Sequence, residues 1–441
     1  MKLSELLEGL KWTGPQELCD VLANEWTESQ RCLPETLPFA LPGSLDDACQ
    51  ALELPEEARG ELVATAKTVS SNPHLSALSW HLHYCAFQSA TYPSWDLVGE
   101  WPSVELLNEV LDGDGRTFYL LILASGFPVM KTIYDSRGIA DDILSDTLDQ
   151  LKDELSGLHE SAAVWGVLGP DRVQWHRFTL RGEIFRLDRL SFQFGLFRWA
   201  VRVFRHRTSN AVVALSEGGV SYLPTGQING PGREDTSGEW ISELVETDDG
   251  VTGNPVLPTG RALPRSIHLP HGEWRQILAR DDPALYFHIP GGSPLAPDAC
   301  RASFEQAAEF FTTSFPDRPY VCFCCDSWVL NSQLQELLPP TSNMVRFQRE
   351  LYLLPHITYD TQLADMILGG IPEDLDKAPR DTALKRSLVD FLAEGGRLHA
   401  SAGSGFLLAE DFRWGEQVYI RQRLPWVDGE DPHAPSRIPR S

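Results

Sequence analysis

The chain has 441 residues, enough for two or three domains, and its 42% hydrophobic content can fill a sizeable core. A formal charge of −25, spread along the chain, argues against nucleic acid and anionic membranes as partners, because phosphate surfaces need a basic face. It leaves room for one phosphorylated ligand at a local site.

No run approaches the roughly 18 apolar residues of a membrane span. Met1 to Lys11 is a short amphipathic stretch with acidic residues, not a signal peptide. The eight cysteines are irregularly spaced, and Cys322, Cys324 and Cys325 crowd one apparent strand, so reduced thiols in a cytoplasmic protein are expected.

The first hundred residues read as helices: Leu3, Leu6, Leu7 and Leu10 recur at helical spacing, as do Leu75, Leu78, Leu82 and Phe87. The proline-rich stretch 33–42 separates two helical groups. Arg116 to Leu123 (R-T-F-Y-L-L-I-L) has a buried-strand pattern, and Ala140 to Leu158 reads as a helix with an acidic start. Beyond Asp171 the texture turns to strands, predicted at 173–180, 184–194, 198–207 and 211–215. Residues 225–265, rich in Gly, Pro, Thr and Asp, read as long surface loops.

A more informative block follows. Ala284 to Ile289 is a predicted strand, and P-G-G-S-P-L-A-P (290–297) is a glycine loop. The next helix shows Cys300, Phe304, Ala307, Ala308, Phe311 and Phe315 on one face, with Pro297 in its first turn. A strand from Tyr320 to Leu330, a short helix at 333–338, a strand from Met344 to Leu354, a helix at 382–393 capped by Asp381, and a strand at 397–408 complete the pattern. A glycine loop opening a helix presents N–H groups and a positive dipole end to phosphates.

Eight ordered segments resemble a two-part family of bacterial N-acyltransferases, with an N-terminal acyltransferase domain and a GNAT-like C-terminal domain. They are R-G-I-A-D-D-I-L-S-D-T-L-D-Q-L (137–151), L-D-R-L-S-F-Q-F (187–194), T-G-N-P-V (252–256), L-P-H-G-E-W (269–274), F-H-I-P-G-G-S-P-L (287–295), D-S-W-V-L (326–330), S-N-M-V-R-F-Q-R (342–349) and E-G-G-R-L-H-A-S-A-G-S-G (394–405). The resemblance implies an α+β fold: a helical N-terminal region followed by a GNAT-like mixed sheet flanked by helices. It implies a mostly helical domain at 1–168, a GNAT-like domain at 169–425 and a mobile tail at 426–441. It also implies acyl transfer from acyl-CoA to an acceptor, an amine above all, by direct attack in a ternary complex. The usual GNAT loop carries a Gln or Arg before its glycines and this loop has no basic residue, which keeps a phosphopantetheine thioester on an acyl carrier protein open as donor.

In GNAT-like sites the thioester carbonyl meets a backbone N–H on the strand before the glycine loop, which here is Leu285 to Ile289, with Ile289 counted among the donor contacts. Gly291, Gly292, Ser293 and Leu295 would form the donor cradle, with Arg301 and Arg346 as cations for phosphates, although both can equally be surface ion pairs. By alternation Leu285, Phe287 and Ile289 face one way and Tyr286 and His288 the other. His288 is either the base or a structural imidazole. On the opposing strand, Asp326 and Ser327 are candidate catalytic residues, with the Ser327 hydroxyl placed to protonate the thiolate or hold the acceptor. Trp328 is a candidate acceptor contact, and all three can instead pack the strand or cap a loop. Ser342 and Asn343 are either a polar clamp on the acceptor or a hydroxyl turn.

Other constellations are weak. His81, His83 and Cys85 lie close on a helix but no fourth ligand has metal-site spacing, so no metal is expected, and there is no G-x-S-x-G elbow or Walker loop. The expected partner is a small-molecule acceptor. Two rival readings keep the donor site: a decarboxylase of malonyl-type thioesters with His288 as proton donor, and a non-catalytic module that binds an acyl thioester.

Overall fold

The computed structural model describes residues 1–12, 16–90, 92, 96–230, 237–357, 362–396, 398 and 402–424. The expected tail at 426–441 lies outside them, as do Arg397 and residues 399–401 of the expected last strand. The chain forms two compact units, Met1–Leu187 and Asp188–Ser441. The architecture is α+β, with helices first and mixed sheet after.

The first unit is built from helices, the longer ones being Pro42–Ala51, Glu56–Ser71, Pro73–His83, Gly115–Ala124, Phe127–Arg137, Asp141–Ala162 and Pro170–Leu180. The strand expected at 116–123 is a helix. Asp114 caps it by accepting from the Arg116 N–H, and Thr117 to Ala124 are all buried. A segment buried all round has no polar face, so its apolar run cannot tell helix from strand. The strand expected at 173–180 is also helical, opened by Pro170 and buried at Val173, Gln174, His176, Arg177, Thr179 and Leu180. Gly115–Arg137 is long and apolar enough by length and composition to cross a membrane, contrary to the sequence expectation, with 67% of its most apolar window buried inside the protein.

The Asp141–Ala162 helix is read well from its pattern. Asp141 and Asp142 sit in the first turn, where the dipole favours them, and Leu144, Leu148, Leu151, Leu155 and Leu158 form the buried stripe. Behind it Glu154 accepts from Arg172 Nη2 at 2.6 Å and pairs with His176 Nε2 at 2.9 Å. His81, His83 and Cys85 lie on buried backbone, with His81 bonded to Ser29 and His83 to Ser125 and Gln88.

In the second unit the main sheet runs in the order Leu190–Leu196, Pro283–His288, Cys322–Ser327, Gly403–Leu408 and Tyr352–Leu354. Only the 283–288 and 322–327 strands are parallel, and the other neighbours are antiparallel. The Pro297–Ser314 helix covers one face with Cys300, Phe304, Ala307 and Phe311 buried. Phe304 meets Phe287, Phe323 and Phe192 edge-on at 5.2, 5.1 and 5.5 Å between centroids, so the strand that ends in the site is anchored by aromatic packing.

A second sheet runs Arg261–Ala262, Pro255–Leu257, Val212–Ser216, Val201–His206 and Trp274–Leu278. Residues 225–265, expected as loops, supply short strands at Trp240–Ile241, Leu244–Glu246, Gly250–Gly253, Pro255–Leu257 and Arg261–Ala262. Strands this short show no alternation to read. The strand expected at 344–354 is a helix, Asn343–Arg349, followed by Tyr352–Leu354 alone. The strand expected at 320–330 ends at Ser327, where a 3-10 turn takes over. The helix near 382 is capped by Thr382, which accepts from the Lys385 N–H, while Asp381 instead pairs with Lys385.

Candidate functional site

The parallel ladder between the 283–288 and 322–327 strands pairs Ala284 with Cys322, Leu285 with Phe323 and Tyr286 with Cys324. It stops there, although one strand continues to His288 and the other to Ser327. Each strand stays paired on its far side, His288 opposite Ser191 and Ser327 opposite Gly403. The two strands therefore splay, and Phe287, His288, Cys325, Asp326 and Ser327 border a gap just ahead of the glycine loop. Unpaired backbone groups along such a gap can take up an extended, amide-bearing ligand.

Arg189 fixes the loop itself. Its buried guanidinium donates to the Ser293 carbonyl at 2.6 Å and the Pro294 carbonyl at 3.2 Å. Its backbone N–H donates to Ser303 Oγ on the following helix at 2.8 Å. Gly292 has φ +91°, open space where a side chain would start, and an exposed position beside Gly291 and Ser293. A β-branched residue there would be strained. The helix beginning at Pro297 has no side-chain cap, so no side chain takes the place of a ligand at its N-terminus.

Beside that helix start lies a cleft lined by Leu295, Pro297, Arg346, Phe347, Glu350, Trp414, Gly415 and Gln417. Arg346 is exposed here. Glu350 is buried and accepts from the Gly415 N–H at 2.9 Å and the Gln417 N–H at 3.4 Å. Arg301, by contrast, lies on the exposed face of its helix between Asp298 and Glu305. The structure thus brings Arg346, not Arg301, to a concave surface.

His288 and Gln193 occupy the same sheet face, with His288 Nε2 3.1 Å from Gln193 Oε1. Burial pushes the imidazole down to about 4, so it is neutral at ordinary pH. Ser327 Oγ accepts from the Val329 N–H at 3.3 Å and caps the 3-10 turn. Trp328 packs on the apolar cluster of Leu334, Val345, Leu363 and Leu388. Ser342 is a helix cap, accepting from the Val345 N–H, and Asn343 is exposed at the first helical position. The structure places Ser327 and Ser342 in capping roles, Trp328 against the core and His288 and Asp326 at the gap.

Asp326 is the centre of a charged group that the sequence does not reveal. Arg198 Nη2 donates to its Oδ2 at 2.6 Å, and His356 Nε2 lies 3.0 Å from its Oδ1. His356 lies two residues beyond the 352–354 strand, after Pro355, and its backbone N–H donates to Gln227 Oε1 at 3.1 Å. Its Nδ1 lies 3.0 Å from the Ile357 carbonyl. Burial opposes charge on both partners, but their mutual bond outweighs it: Asp326 is held below its usual range and His356 above its own. Arg198 also lies over the rings of Trp199 and Tyr286, at 5.4 and 5.5 Å, which are themselves stacked. Gly195 makes room for Tyr286, since a Cβ there would sit 2.6 Å from its ring. Arg198, Gln227 and His356 come from three distant stretches of chain, so no spacing signals them.

The thiols near the gap are poor nucleophiles. Burial pushes Cys300 up to about 11 and raises Cys324 and Cys325 further.

Two family models match the chain: an N-acyltransferase N-terminal domain over residues 43–182 and a GNAT-like C-terminal domain over residues 184–406. Among solved structures, an acyltransferase in complex with decanoyl-CoA and teicoplanin aligns over 92% of this chain and 99% of its own, at 20% identity and a TM-score of 0.58. An acyltransferase mutant in complex with octanoyl-CoA aligns over the same shares at 19% identity and a TM-score of 0.57. A third, an acyltransferase in complex with CoA and 10C-teicoplanin, gives 19% and 0.58. At such identity the likeness is one of fold. No curated protein matches the chain.

Proposed function

Since the chain belongs to the family that joins an N-acyltransferase N-terminal domain to a GNAT-like C-terminal domain, we propose that it transfers an acyl group from acyl-CoA to a small-molecule amine. The observation that carries this reading is the parallel ladder that stops at Tyr286 and Cys324, immediately before a glycine loop and an uncapped helix start. The pantetheine arm would lie along the gap as an extra strand, its amides bonded to the backbone of residues 287–289. The phosphates would meet the N–H groups of Gly291, Gly292, Ser293 and Leu295 and the helix dipole, with Arg346 as the cation in the cleft.

The acyl carbonyl would then stand near Ile289 and His288. An amine entering on the Tyr286 and His288 face attacks the carbonyl carbon directly. Buried thiols with raised pKa favour this route over an acyl-enzyme intermediate. The neighbour bound to decanoyl-CoA and teicoplanin supports a medium-length acyl chain and a bulky small-molecule acceptor as first choices to assay.

Calorimetry with decanoyl-CoA tests the donor site. Gly292→Val, strained at φ +91° and placing a branched side chain on the exposed face of the loop, should weaken binding at least about tenfold, with circular dichroism unchanged. Unchanged affinity would remove the loop from the donor site.

A further inference from the structure

We infer that His356, held by Asp326, is the base that takes the proton from the attacking amine. This rests on the acyl-transfer reading above. Both ring nitrogens face oxygens, Nε2 toward Asp326 Oδ1 at 3.0 Å and Nδ1 toward the Ile357 carbonyl at 3.0 Å. Only an imidazolium donates at both ends, so the geometry is that of the protonated base. When the ring is neutral, the carboxylate keeps the hydrogen on Nε2, and the lone pair lies on Nδ1. Among the described residues, that nitrogen meets the carbonyl of the next residue. Proton uptake restores the Ile357 bond, so the product of the proton transfer has a partner waiting at each end.

The position fits the chemistry. Asp326 lies on the part of its strand beyond the last paired residue, Cys324, so the pair borders the gap. Among the described residues, the charged and titratable groups around the ring are Asp326 and Arg198, with Tyr286 and Cys324 behind them. Asp326 raises the basicity of His356 and Arg198 lowers it, with the carboxylate prevailing. His288, by contrast, is made a weak base by burial.

The step balances without an added reagent. The acceptor ammonium first loses one proton to water. The neutral nitrogen attacks the thioester carbon, forming the C–N bond and moving the carbonyl pair onto oxygen. Nδ1 of His356 takes the N–H proton. The carbonyl reforms, the C–S bond breaks, and its pair leaves as the CoA thiolate, which takes a proton from solvent. Asp326 touches neither substrate and acts as a positioning residue.

The experiment follows CoA release from decanoyl-CoA with butylamine as probe, against the same mixture without enzyme, between pH 5.5 and 9. Wild type should show an acid limb in log kcat. His356→Gln should lose about 10²-fold or more in kcat and lose that limb, while binding decanoyl-CoA within about twofold of wild type by calorimetry. Asp326→Asn should move the limb to lower pH, a change that a purely structural role would not produce. His356→Gln with undiminished kcat and an intact limb, or Asp326→Asn with the limb unmoved, overturns the assignment while leaving acyl transfer standing. Failure of the wild type to release CoA above the enzyme-free control overturns acyl transfer itself, and the base assignment with it.

Discussion

Glu154→Gln should destabilise the helical unit by about 3 kcal/mol at neutral pH, and the deficit should vanish in acid. Glu154 is 10% exposed and joins the Asp141–Ala162 helix to Arg172 and His176 on Pro170–Leu180, with His176 1% exposed. Burial alone would raise its pKa, but the bonds from His176 and Arg172 outweigh burial and bring the carboxyl from 4.5 down to about 2. At about 1.4 kcal/mol for each pH unit, that favours the folded state by about 3 kcal/mol once the carboxyl is fully ionised. Because the folded pKa is depressed, the contribution is complete above about 4.5 and is lost as pH falls toward about 2. The assay is urea unfolding of wild type and variant, followed by helical circular dichroism, from pH 7 to pH 2.5. The gap between the two should shrink across that window. A constant gap, or one below about 0.5 kcal/mol at pH 7, would refute the reasoning.

The buried Arg177 gives the opposite sign. The residue is 3% exposed, its Nε and Nη1 have no hydrogen-bond partner among the described residues, and burial lowers its pKa. Arg177→Met should therefore be neutral or raise stability by up to about 4 kcal/mol in a thermal melt, and a clear loss would show that the charge is compensated. At the gap, His288→Gln should lower the rate of CoA release without moving the acid limb, because burial already places His288 near 4. Disappearance of the limb in that variant would return the role of base to His288.

How much of this was legible depends on where each signal resides. The Pro297–Ser314 helix and the glycine loop announce themselves locally, through Phe304, Ala307 and Phe311 on one face and Pro-Gly-Gly before it. Arg116–Leu123 reads as a strand because a helix buried all round has no polar stripe, whereas in Val173–Leu180 the buried Gln174, His176, Arg177 and Thr179 leave no apolar stripe to mark the helix. Met344–Leu354 was read as one strand because its apolar residues do not show that the Ser342 hydroxyl starts a helix before the strand. Arg189 sat inside a recognised segment, yet its bonds to Ser293 and Pro294 arise only when two distant stretches meet. The same holds for Arg198 and His356, which lie far from Asp326 in sequence and join it only in the folded sheet. Asp326 itself is legible because it stands on the strand opposite the glycine loop, a relation that the order of elements does convey.

The most direct test of the central claim is product mass. The protein is incubated with decanoyl-CoA and a set of primary amines that includes teicoplanin, and the mixture is analysed by mass spectrometry alongside a thiol assay for CoA. The account predicts at least one amine converted to its decanoyl amide, with free CoA released in equal amount. CoA released with decanoic acid as the sole acyl product, or decanoyl-CoA recovered intact with every amine, would contradict it.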